Sequence, residues 1–198
     1  MGRAVVASFN RAKAREIAEI LAAEGLQFEV VPLSDFPGVS LPAETGRTFA
    51  ENALAKARAA SRATGLPALA DDSGLEVDAL GGQPGVMSAR YAGEGAGDEA
   101  RYRKVLGLLT YVPDQQRTAR FHCAAAFVSP EGAELLAAGT CEGRIAREPA
   151  GAGGFGYDPI FIPDGHTVTM AQLTAAQKHT ISHRGRAFRA LARRMREG

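Results

Sequence analysis

Thr48-Phe-Ala-Glu51 has the spacing of a capping box, in which a threonine hydroxyl and a glutamate carboxylate satisfy backbone donors at a helix start. An alanine-rich stretch runs on from it to Thr64-Gly65, so the spacing predicts a helix over Thr48 to Thr64. Directly after it, Pro67 to Ala70 forms a brief apolar run aimed at Asp71-Asp72-Ser73-Gly74. The chain must therefore accommodate a long helix and then a short strand that delivers two carboxylates at its end, a common place for chemistry.

The remaining segments are arranged around this unit. Arg3 to Ser8 holds Val5, Val6 and Ala7 and reads as a first strand; a helical pattern with Ile17, Ile20 and Leu21 on one face follows to about Glu24. Phe28 to Val31 is a second strand ended by Pro32, and Leu33 to Thr45 is a loop rich in Pro, Gly and Ser. Gly81 to Gly97 reads as a long structured loop before a helix from Asp98 to Leu109. Arg117 to Val128 and Glu134 to Ala146 alternate as two antiparallel strands joined at Ser129 to Gly132, and this hairpin reads as a second lobe, roughly residues 115–150, within a single domain of 1–198. Thr174-Ala-Ala-Gln177 repeats the capping-box spacing, and Arg184 to Arg196 reads as a terminal helix.

Composition excludes several function classes. The 198 residues carry 23 Lys+Arg against 22 Asp+Glu, a net charge of +1 that argues against a general polyanion binder and so against nucleic acid as partner. The longest apolar runs, such as Cys123 to Val128, fall far short of the roughly 20 residues that span a bilayer, so no membrane partner is expected. The N-terminus does not read as a signal peptide, and the expected location is cytoplasmic. Cys123 and Cys141 lack Cys-x-x-Cys spacing and are expected as buried thiols in a reducing compartment.

Gly151-Ala-Gly153-Gly154-Phe155-Gly156 formally matches a dinucleotide fingerprint, but its context rejects that reading. Glu148-Pro149 precedes it, Tyr157-Asp158-Pro159 follows, and Ala176 stands where the ribose-binding acid belongs. Ser8-Phe-Asn10-Arg-Ala-Lys13 lies between a strand and a helix, where backbone amides and a lysine suit phosphate; an ordinary N-cap with a solvated Lys13 fits the same residues. Phe49, Asn52 and Lys56 share one helix face, which either presents an amide and an ammonium to phosphates or places Phe49 in the core, Asn52 as a local cap and Lys56 on the surface. Asp71-Asp72 reads as a ligand pair for a hard cation such as Mg²⁺, with Glu44 completing the set, or as a helix-capping or turn aspartate followed by a solvated one. Between Lys178 and Arg196 lie seven basic residues and no acid; His183 and Arg184, just before the expected helix, are the best placed to touch a ligand.

In order, these segments resemble the inosine triphosphate pyrophosphatase family. The likeness runs through Ser8 to Lys13, Glu44-Thr-Gly46, Thr48 to Asn52 with Lys56, Ala70 to Asp78, Gly81 to Tyr91, Gly153 to Pro159 and Ser182 to Gly185. It implies a mixed α/β fold with an elongated central mixed sheet, flanking helices and two lobes with a nucleotide cleft between them, in a homodimer. It also implies Mg²⁺-dependent hydrolysis of non-standard purine nucleoside triphosphates (ITP and dITP, XTP and dXTP) to the monophosphate and pyrophosphate.

Carried over by position, Asp72, Asp71 and Lys56 are the implied catalytic residues, and Asp72 and Glu44 the implied metal ligands. Ser8, Phe9, Asn10, Arg11, Ala12, Lys13, Asn52, Ser73, Phe155, Gly156, Tyr157, Asp158, Lys178, His183 and Arg184 are the implied substrate-binding set, with Phe155 stacked on the purine. Lys178, Arg184 and backbone amides near Phe155 are candidate donors to the C6 carbonyl that separates hypoxanthine and xanthine from adenine. Bacterial members often read Thr-Gly-Asn-x-Gly-Lys where this chain has Ser8-Phe-Asn-Arg-Ala-Lys13, which weakens the case for amide contacts from Phe9 and Ala12. The rival readings are a pyrophosphatase for another modified nucleotide and, from a different class, a nucleic-acid-binding protein.

Overall fold

Ala4, Val5 and Val6 are fully buried and form the inner half of β1 (Gly2–Val6), the first element of a computed structural model that describes residues 2–197. The chain turns at Ser8 and enters α1 (Arg11–Ala23), which buries Ala14, Ile17, Ile20 and Leu21 along one stripe at helical spacing. β2 (Phe28–Pro32) lies parallel to β1, with Val31 opposite Val5.

α2 (Phe49–Thr64) starts where the capping spacing predicts. The Thr48 hydroxyl accepts from the Glu51 amide at 3.2 Å, but the Glu51 carboxylate reaches one residue further back and accepts from the Arg47 amide at 2.7 Å. Its buried face holds Phe49, Ala53, Ala57 and Ala60, and also Asn52 and Lys56.

β3 (Ala68–Val77) pairs in parallel with β1 and is longer than expected. The apolar run ends at Ala70 but the strand does not, and the acid pair lies inside the strand rather than on a loop or turn. Extended backbone persists through Asp71 and Asp72 because each carboxylate meets a cation or amide, while Leu75 and Val77 beyond them are fully buried.

α3 (Asp98–Leu108) leads to β4 (Thr118–Val128) and β5 (Glu134–Ile145). The short Ser129–Ala133 connection permits only an antiparallel hairpin; within it the Ser129 amide donates to the Ala133 carbonyl at 2.9 Å. β6 (Phe161–Pro163) pairs antiparallel with β5 and is too short for any periodicity to have revealed it. α4 (Ala175–Ile181) carries the capping box of Thr174 and Gln177 with both bonds formed, and α5 (His183–Glu197) begins one residue before the expected start, taking His183 and Arg184 into its first turn.

The six strands hydrogen-bond in the order β2-β1-β3-β4-β5-β6, with parallel pairs at one end and an antiparallel pair at the other, so the fold is mixed α/β. Among the described residues no helix is long and apolar enough to cross a membrane.

The chain divides into two compact units. The first comprises residues 1–72, 123–139 and 183–198; the second comprises 73–122 and 140–182. Residues of the expected lobe at 115–150 are therefore shared, with the hairpin tip in the first unit and its base in the second. In the first unit, Ile17 and Leu21 of α1 and Phe188 and Leu191 of α5 pack with Val6, Leu69, Cys123 and Ala125 from the strands. In the second, Val105 and Leu109 meet Leu75, Val77, Phe121, Ile145, Ile160 and Phe161, the rings of Phe121 and Phe161 lying 4.6 Å apart.

Candidate active site

The first unit gathers two charged groups around β3. Successive strand residues point to opposite faces, so Asp71 and Asp72, though adjacent in sequence, have different neighbours. Asp71 is engaged by Lys13 of α1 at 2.8 Å and by Nε of Arg184 at 3.2 Å, with the Cys123 thiol 3.9 Å away. Arg184 in turn pairs with Glu16 of α1 at 2.9 Å. Burial alone would raise the Asp71 pKa, but Lys13 and Arg184 outweigh it and hold the carboxyl well below the usual range.

Asp72 faces α2. Its Oδ2 accepts from the Asn52 side-chain amide at 2.9 Å, and its Oδ1 lies 3.2 Å from the Lys56 ammonium. Lys56 also donates to Oε1 of Glu44 at 2.6 Å, so two carboxylates converge on one ammonium. Lys56 is only 6% exposed, which removes the surface-lysine alternative for this helix face. Burial would depress its pKa; Asp72 and Glu44 overcome that and hold it above the ordinary value. Asp72 is displaced the other way for a carboxylate: burial, with Glu44 adding to it, prevails over Lys56 and Asn52 and raises the pKa.

The Glu44 loop is fixed from the same helix. The Asn52 carbonyl oxygen accepts from the Gly46 amide at 2.8 Å, and a Cβ on Gly46 would stand 2.5 Å from that oxygen. Only glycine permits this approach.

At the start of α1, Asn10 is the N-cap, accepting from the amides of Ala12 at 3.0 Å and Lys13 at 3.1 Å. The Ala12 amide is thus already used, and the N-cap reading of Asn10 holds alongside a Lys13 that is paired rather than solvated. Ser8 accepts from the Asn10 amide at 3.2 Å, Phe9 is exposed, and Arg11 pairs with Asp35 on the surface. His183 and Arg184 are both buried, and the Arg184 guanidinium is directed at Asp71 and Glu16.

The second unit holds the other predicted residues. Ser73 follows Asp72 on β3. Oδ2 of Asp158 accepts from the Phe155 amide at 2.9 Å and from the Lys178 ammonium at 2.6 Å; that ammonium lies 4.7 Å from the centre of the half-exposed Phe155 ring. The Gly156 amide donates to Asp98 at 2.7 Å, and the Tyr157 hydroxyl donates to the Ser88 carbonyl at 2.9 Å. The amides of Phe155 and Gly156 therefore already serve carboxylates, leaving Lys178 as the side-chain donor beside the ring. Gly154 adopts φ +74°, and a Cβ there would fall against the Asp158 carboxylate. No α-helix opens within Gly151 to Gly156, in keeping with rejection of a dinucleotide site.

Sequence reasoning missed Glu16 and Asp98. Glu16 was visible as the residue three beyond Lys13 on one helix, and Asp98 as an acid in the first turn of α3.

The sequence profile of the Ham1 family matches residues 4–194. The chain belongs to the Ham1 family. It is 55% identical to a dITP/XTP pyrophosphatase of Frankia alni, with 98% of each chain covered, and 49% identical to one of Streptomyces coelicolor, covering 100% of this chain and 98% of the relative. Among solved structures, a HAM1 protein of Coxiella burnetii superposes with a TM-score of 0.89 at 46% identity, each chain covered completely. The Ham1 protein of Staphylococcus aureus gives 0.86 at 40% identity, covering 98% of each.

Proposed function

We propose that this Ham1-family protein hydrolyses non-standard purine nucleoside triphosphates, dITP and ITP, XTP and dXTP, to the monophosphate and pyrophosphate. The observation that carries the reading is the group formed by Glu44, Lys56 and Asp72, in which two hard carboxylates share a buried ammonium. Relatives named dITP/XTP pyrophosphatases, matched over nearly their full length, support the substrate class.

The donor set fits Mg²⁺. Asp72 and Glu44 present hard carboxylate oxygens that converge on one cationic centre, and magnesium is commonly held by one or two carboxylates together with substrate phosphates. Asp72 and Glu44 would hold it, and Mg²⁺ would supply charge neutralisation and polarisation of the attacking water. Lys56 and Lys13 place positive charge on the phosphate chain, which is the main requirement of a reaction governed by positioning and electrostatics. Asp72 orients the water that attacks the α-phosphorus, with pyrophosphate leaving. Asn52 holds Asp72 and the Glu44 loop in one arrangement. Asp71, on the opposite face of the strand, acts through Lys13 and Arg184 rather than on the water.

In the second unit Phe155 takes the purine face, and Lys178 donates to the C6 carbonyl, where the amine of adenine would leave donor against donor. We place the protein in the cytoplasm as a homodimer. Light scattering on the purified protein tests the dimer.

The deciding experiment is a panel of ITP, dITP, XTP, GTP, ATP and the pyrimidine triphosphates, assayed for pyrophosphate with Mg²⁺ and after chelation. Rapid Mg²⁺-dependent pyrophosphate release from ITP, dITP and XTP is expected. Inorganic phosphate with IDP as product would overturn the bond assignment, and preference for a pyrimidine triphosphate would overturn the substrate class.

A further inference from the structure

Phe155, Gly156 and Tyr157 are consecutive residues tied to three different parts of the second unit. The Phe155 amide is held by Asp158 within its own turn, and the Tyr157 hydroxyl by the Ser88 carbonyl. The middle residue is held by a helix, since the Gly156 amide donates to Oδ2 of Asp98 at 2.7 Å. Asp98 opens α3, and that helix is anchored by the fully buried Val105. The Asp98 carboxylate is itself oriented, because Oδ1 accepts from Nη1 of Arg101 at 2.8 Å while Nη2 of Arg101 donates to the Ala96 carbonyl at 2.6 Å. A charged acceptor on a short amide bond is stronger than a neutral pair and fixes direction as well as distance.

From this arrangement we propose that Asp98 is a positioning residue for base recognition, acting through the Gly156 amide to hold the Phe155 ring at a fixed height and tilt. The inference rests on the reading that Phe155 receives the purine. Two consequences follow from the geometry. A ring on a chain segment free to move would have to be ordered by each incoming base, which weakens binding without altering the reacting phosphates. The Gly156 amide, once released, would also become an extra donor beside the base and blur discrimination by hydrogen bonding.

The test compares Asp98→Ala, Asp98→Asn and Phe155→Ala by steady-state kinetics with dITP, XTP and dGTP, together with hydrogen exchange at the Gly156 amide. Asp98→Ala is expected to raise KM for dITP and XTP about tenfold, as loss of one charge-assisted hydrogen bond implies, with kcat within about twofold of the parent. It is also expected to narrow the preference for dITP over dGTP and to speed Gly156 exchange. Asp98→Asn keeps a carbonyl acceptor for the amide and is expected to recover most of the KM. If Asp98→Ala does not fold, Asp98→Asn paired with Asp98→Ser gives the same comparison. An Asp98 variant with unchanged KM while Phe155→Ala raises it would overturn the Asp98 role alone. Unchanged KM in Phe155→Ala would overturn the purine platform and the inference resting on it. A fall in kcat at constant KM would overturn the assignment to base binding.

Discussion

The ammonium of Lys13 lies 2.8 Å from Oδ1 of Asp71, a carboxylate whose side chain is almost wholly withdrawn from solvent. Arg184 approaches the second oxygen of the same carboxylate from α5, so one buried acid orders a cation from each of two helices. Lys13 is thereby held in one conformation before any substrate arrives, and part of the entropy of ordering a long side chain is removed from the binding step.

Asp71→Asn should be costly to the fold. Removing the carboxylate leaves Lys13 and Arg184 facing a neutral amide in a buried setting, a loss of about 3–5 kcal/mol. Thermal denaturation should show a melting temperature lower by on the order of 10 °C. Normal melting combined with lost turnover would place Asp71 in the chemistry instead.

Asp72→Asn should behave oppositely. Burial and Glu44 already make the ionised Asp72 expensive, and an amide occupies the same space without that charge. Melting should be unchanged or slightly higher, while pyrophosphate release falls about 100-fold or more. Near-normal turnover in the folded variant would remove Asp72 from the mechanism.

The contrast between the two aspartates also marks where sequence information ends. Helix starts at Thr48 and Thr174 were legible because a cap is a local chemical device with fixed spacing, and both appear. Elements defined by long-range pairing were less so: β6 has only three residues, and the extension of β3 through two acids depends on Lys13, Lys56, Asn52 and Arg184 arriving from elsewhere. For the same reason the ordered motifs mark Arg184 as a residue of interest, whereas its partners, Asp71 and Glu16, are set by the packing of α1, β3 and α5 and by no local pattern.

Gly154→Ala tests the loop that carries Phe155. The glycine adopts φ +74°, and its missing Cβ leaves space for the Asp158 carboxylate that holds Phe155 and Lys178. The substitution should raise KM for dITP about tenfold or more while kcat at saturation stays near the parent value, since the first unit is untouched. Steady-state kinetics with dITP, alongside a melting curve, checks it.

Tyr157 provides a pH signature. Its buried hydroxyl donates to the Ser88 carbonyl, and burial raises its pKa above the ordinary value of about 10. The folded state therefore binds this proton more tightly than the unfolded chain does. Its contribution to stability is complete below about pH 10 and is lost as pH climbs from there toward the folded value. In an alkaline absorbance titration, one of the four tyrosines should ionise last, together with unfolding. Tyr157→Phe should delete that late component; Tyr91, also raised by burial, remains in the variant, so the difference between the curves isolates Tyr157. Superimposable curves would show that Tyr157 is not held as its hydrogen bond indicates.

The pairing of β3 with β1 sets Ala68 opposite Val5 and Leu69 opposite Val6. That alignment decides more than strand position. Sliding β3 back by one residue would turn each of its side chains to the other face, bringing Asp72 into the place of Asp71 beside Lys13 and Ser73 into the place of Asp72 beside Lys56. The anchoring acid and the reactive acid are the same amino acid at adjacent positions, told apart by the face of the strand each occupies. A one-residue deletion between Pro67 and Ala70 would thus leave every proposed catalytic residue in the chain and still set Asp72 in the anchoring place, with a serine hydroxyl where the reactive carboxylate belongs.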